Sequence, residues 1–108
     1  MSDIRKPTVH LNGTSAETLF QQNLAAAGAL RAAIAALHAA APHGRDYYVQ
    51  HDTEGDSYSK VRKEHDARVE RLRSVLAEVE EIAEHAAEAM DSRWAERELA
   101  RLRRGIER

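Results

Sequence analysis

Arg45, Asp46, Tyr47 and Tyr48 stand in a row between two long helix-forming stretches, with His43 just before them, His51 just after and Tyr58 close behind. A guanidinium holds phosphate or carboxylate through two parallel hydrogen bonds, and a phenol ring offers a flat face on which a base can stack. Three of the chain's five aromatic residues fall in or beside this segment, whereas a connection without another task is usually a few small polar residues. The competing reading is that the tyrosines close the end of a small bundle core. A second polar segment, Asn12-Gly13-Thr14-Ser15, precedes the first helix. Free N–H groups and the helix dipole favour an anion there, although the same residue types make an ordinary helix cap.

Other chemistries fail on spacing. Glu81, Glu84, His85 and Glu88 share one helix face, but Ile82 stands three residues before His85, so the Glu-x-x-His pairing of bundle metal sites is missing. A solvated acidic face explains them. His65 lies within an apolar stripe and reads as a core or interface histidine. His43, His51 and Asp52 would meet around an ion only if their loop folded back. Ser57, Ser59 and Ser74 have no positional link to a base and an orienting group, and there is no cysteine. No metal, no cofactor and no enzymatic activity are expected.

These residues must be positioned by helices. The first is expected over 14–41, opened by Thr14 and Glu17 in capping-box spacing and closed before Pro42, which cannot continue the ladder. Leu19, Phe20, Leu24, Ala27, Leu30, Ile34 and Leu37 form its apolar stripe. Its back face, with Ala25, Ala29, Ala32, Ala36, Ala39 and Ala40, carries little that water would select. Arg31 is the single permanent charge between Thr18 and Ala41. Alanine is the best helix former, and small residues also let helix axes approach closely; the second property points to a contact with another copy. The second helix is expected over 57–91. Its stripe runs Tyr58, Val61, His65, Val69, Leu72, Val75, Leu76, Val79, Ile82, Ala83, Ala86 and Met90, with Trp94 at its end. Leu99, Leu102 and Ile106 then change phase, so either the helix bends near Asp91 and Ser92 or 92–108 is a separate amphipathic, basic tail.

Composition sets the class. The 108 residues make one small domain with a marginal core, and alanine inflates the 43% hydrophobic content. A formal charge of −2 gives no overall basic footprint for nucleic acid. The arginines of the tail are interleaved with glutamates and suit pairing within the helix. No stretch approaches the ~18 apolar residues of a membrane span. The absence of cysteine fits the cytoplasm.

The arm and turn His10-Leu11-Asn12-Gly13-Thr14-Ser15, an Ala/Leu helix, and then Ala41-Pro42-His43-Gly44-Arg45-Asp46-Tyr47-Tyr48 resemble a family of short, uncharacterised proteins of tailed phages and prophages. The similarity covers roughly residues 8–90. That family typically continues the double tyrosine with Pro-Gln-Gly, where this chain has Val49-Gln50-His51. The resemblance implies a phage accessory role and carries over no catalytic residue.

The expectation is an all-α antiparallel hairpin with a short arm (1–13) and a functional loop (42–56), assembling into an oligomeric bundle. Its ligand residues are Asn12, Gly13, Thr14, Arg45, Asp46, Tyr47 and Tyr48. Because the two motifs lie at opposite ends of one helix, an antiparallel partner would be needed to join them. The expected role is non-enzymatic sequestration of a nucleotide-like host defence signal at intersubunit sites in the host cytoplasm. The rival roles are a virion structural component and an inhibitor that binds a host protein.

Overall fold

The computed structural model describes residues 3–50, 57–90 and 92–106, the side chains of 92–96 and 106 excepted. Its elements are α1 (Ala16–Ala39), a 3-10 turn (Gly44–Asp46), α2 (Ser57–Glu88) and α3 (Ser92–Ile106), and no strand occurs among the described residues.

α1 starts one residue later than capping-box spacing implies. Ser15, not Thr14, is the N-cap: its Oγ accepts from the Thr18 amide at 3.1 Å and donates to Thr18 Oγ1 at 2.9 Å. Either hydroxyl suits the role by type, and the chain places Ser15 where Thr18 can answer it. At the other end the amide of Ala40 closes on Ala36 and Leu37, and Ala41 on His38, before Pro42 ends the ladder.

α1 and α2 run antiparallel. Phe20 packs with Ala83, Ala86 and Ala87, and Ala27 with Leu76, so residues later in α1 meet residues earlier in α2. The partly buried side chains of Leu19, Leu24, Leu30 and Ile34 line the same seam. One member of the expected stripe of α2 behaves differently: Val75 is 43% exposed. A helix turns 100° per residue, and Leu76 has taken the position facing α1.

The tail is a helix in its own right. The last turn of α2 tightens, with Ala89 bonding to Ala86 and Met90 to Ala87, and α3 then folds back over the hairpin. Leu99 joins the Phe20 cluster, while Leu102 is buried against Ala27 and Leu76. The hairpin expected from sequence is therefore a hairpin with a third helix laid along part of its length.

The acidic face of α2 is not simply solvated. Glu81 faces Lys6 at 3.8 Å, too long for a hydrogen bond and near enough for charge attraction. Glu84 receives a 2.8 Å bond from Arg103 of α3, which holds that guanidinium's pKa above its ordinary value. His85 Nε2 lies 2.6 Å from the carbonyl oxygen of Pro7 and donates to it. The arm and α3 thus cover much of a face that the sequence alone assigns to water. One tail arginine, Arg101, does pair within its helix, with Glu98.

Candidate functional site

The first motif sits on a turn. The Gly13 amide bonds to the His10 carbonyl at 3.1 Å, and Asn12, Gly13 and Thr14 are all exposed. A Cβ at Gly13 would lie 2.7 Å from His10 Nε2, so even alanine there would displace the His10 ring. Ser15 satisfies Thr18, which leaves the amides of Ala16 and Glu17 as the open donors of the first turn. Glu17 is also the acid of that turn, and it offsets part of the helix's attraction for an anion.

The second motif is a compact turn and not an extended loop. His43 Nδ1 accepts from the Arg45 amide at 3.2 Å, giving this histidine a capping role. The amides of Tyr47 and Tyr48 both bond to the Gly44 carbonyl, and Gln50 bonds to Tyr47. Arg45 and Asp46 are exposed and Tyr47 is half-buried, so the packing and contact readings divide between the two phenols: Tyr48 stands 79% exposed beside Val49 at 62%. His51 and Asp52, the other loop groups considered as metal ligands, lie outside the described residues. Among the described residues, no three His, Asp or Glu side chains converge as a metal site.

The two motifs do not meet within one chain. The 24 residues of α1 separate them by about 36 Å.

A different set of residues does converge. Arg31, Ile34, Ala35 and His38 of α1, Arg73, Leu76 and Glu80 of α2, and Gly105 of α3 line a groove of about 600 Å³. Arg73 Nη2 donates to His38 Nε2 at 3.3 Å. Arg31 passes close to the α3 backbone, since a Cβ at Gly105 would stand 3.7 Å from its Nε. Its Nη1 is buried with no hydrogen-bond partner among the described residues. Burial raises the pKa of Glu80 above the ordinary glutamate value, and Glu84 adds to the rise; Arg31 and Arg103 oppose it. Sequence reasoning did not assemble this set. The available signal was Arg31 itself, the lone permanent charge between Thr18 and Ala41 of an alanine-rich helix.

No family model matches the chain, nor does any curated protein or solved structure.

Proposed function

We propose that this is a non-enzymatic accessory binding protein of phage or prophage origin, working in the host cytoplasm. It assembles as a homo-oligomer and sequesters a nucleotide-like anion between subunits. The observation that carries this reading is the placement of exposed apolar side chains. Five large hydrophobic residues are exposed among the described residues, and four of them lie in or beside the two motifs: Val9 and Leu11 before Asn12, Tyr48 within the second motif and Val49 just after it. Leu11 is fully exposed. Apolar groups clustered in water at both ends of a rod fit a contact that a single chain leaves unmade. An antiparallel neighbour along the back of α1 would set the Leu11–Gly13 end of one chain against the Tyr48 end of the other. Arg45 would then pair with the anion, Tyr47 and Tyr48 would present their rings, and the Asn12–Thr14 turn would supply backbone donors.

The exposed alanines of α1, among them Ala25, Ala29, Ala32 and Ala36, favour a second reading, in which the same surfaces are lattice contacts of a virion component. Thermal shift against a panel of linear and cyclic nucleotides separates the two, because a ligand bound only by the folded state raises the melting temperature. Sequestration expects a rise for at least one nucleotide that is lost in Arg45→Ala and Tyr48→Ala, with the unliganded melting temperature of Tyr48→Ala unchanged. No shift with any nucleotide, together with open-ended growth on concentration, would favour the structural role.

A further inference from the structure

α3 does not cover the whole length of the hairpin. Its last described contacts are Leu102 on Ala27 and Leu76, and Gly105 near Arg31. Past that point the trough between α1 and α2 widens into the groove of about 600 Å³, within the usual range of small-molecule pockets. Ile34, Ala35 and Leu76 supply an apolar floor, while Arg31, His38, Arg73 and Glu80 supply the polar groups. Two guanidinium groups stand against one carboxylate, so positive charge predominates.

Among the described residues, the buried Nη1 of Arg31 has no hydrogen-bond partner. A guanidinium N–H removed from water without an acceptor is costly, and an oxyanion is the acceptor that its planar fork fits best. Glu80 does not fill that role: it interacts with Arg31 through charge, but no hydrogen bond satisfies Nη1. Burial also disfavours ionised Glu80, which weakens its compensation of the guanidinium.

We propose that this groove binds a small amphipathic oxyanion, a carboxylate or phosphate on an apolar body. The head would be held by Arg31 and by the Arg73–His38 pair, and the body would lie along Ile34, Ala35 and Leu76. The site is separate from the intersubunit surface described above. Ala32 and Ala36 point roughly 100–140° away from Arg31 around the helix, and neither Gly13 nor Tyr48 lines the groove.

The test is an amide NMR titration of the ¹⁵N-labelled full chain with decanoate, decyl phosphate and decanol. Saturable shifts are expected in residues 31–38, 73–80 and 102–105 with either anion, and the stronger of the two identifies the head group. Decanol should bind about tenfold more weakly, and Arg31→Met should weaken both anions by about tenfold, as loss of a charge-assisted bond implies. Arg73→Gln, on the exposed rim, gives the same comparison without touching a buried group. Tyr48→Ala should titrate like the wild type, so failure of the nucleotide reading would leave this result standing. Any of three outcomes overturns the proposal: decanol binding as tightly as the anions, both arginine variants titrating like the wild type, or no saturable shift. Movement of the 73–80 and 102–105 amides on simple dilution would show a second copy in the groove, and that also overturns it.

Discussion

Phe20 is the largest side chain fully buried among the described residues, and the other buried members of its cluster are all alanine. Alanine contributes little apolar area per position, so this ring carries much of the hydrophobic driving force of its cluster. Phe20→Ala is expected to cost about 3–5 kcal/mol, a large share of the ~5–15 kcal/mol that holds a typical domain together. A urea midpoint close to the wild type would show that the ring is not the anchor. Glu80 gives a second test through pH. Its raised pKa means that the folded chain holds this proton more tightly than the unfolded chain does. Stability from this group is therefore present at low pH and lost as pH rises through the folded value. Glu80→Gln should melt higher than the wild type near neutral pH. That advantage should shrink at about pH 3.5, where Glu80 is protonated in both states. A constant offset between the two proteins at both pH values would mean that ionisation is not its cause.

At the scale of elements, the stripe of α1 was legible because its periodicity needs no knowledge of the partner. Leu19, Phe20, Leu24, Ala27, Leu30 and Ile34 all face the core seam. The docking of α3 was not legible. The phase of Leu99 and Leu102 defines an amphipathic face, but phase does not say which surface that face will meet. The covered acidic side of α2 escaped for a related reason, since Lys6 and Arg103 reach Glu81 and Glu84 from elements distant in sequence. The candidate motifs were legible as residue types, and the division between exposed Tyr48 and half-buried Tyr47 was not, because adjacent turn residues carry no periodicity. Leu102 is the test of the third helix. Leu102→Ala is expected to cost about 2–5 kcal/mol and to raise amide exchange in α3 before α1 or α2. Arg103→Gln should change exchange far less, because an exposed ion pair contributes little. Equal protection of α3 in the wild type and in Leu102→Ala would mean that the helix is held by something else.

The molecule as a whole is long, with extents of 62 × 26 × 21 Å and a radius of gyration of 18.9 Å, against about 13 Å for a compact chain of this length. Its accessible surface is 8004 Å², whereas a compact 12.1 kDa monomer would show about 6,000 Å². Part of that excess is the back of α1, where Ala25, Ala29, Ala32 and Ala36 are exposed. If another copy packs there, Ala32→Glu and Ala36→Glu should lower the mass seen by light scattering, since each puts volume and an unpaired charge into a close helix contact. In a monomer either change is nearly neutral, within about 0.5 kcal/mol. An unchanged mass for both variants would remove the α1 face from the assembly.

The bond between Pro7 and His85 spans 78 residues of sequence, and this separation bears on the order of events during synthesis. The arm leaves the ribosome before the histidine that holds it is made, with α1 and most of α2 in between. Closing so long a loop is entropically unfavourable until α1 and α2 have already paired. The Asn12–Thr14 turn would then take its final place late. A translation product arrested before residue 85 would carry the turn's sequence without this anchor for its arm.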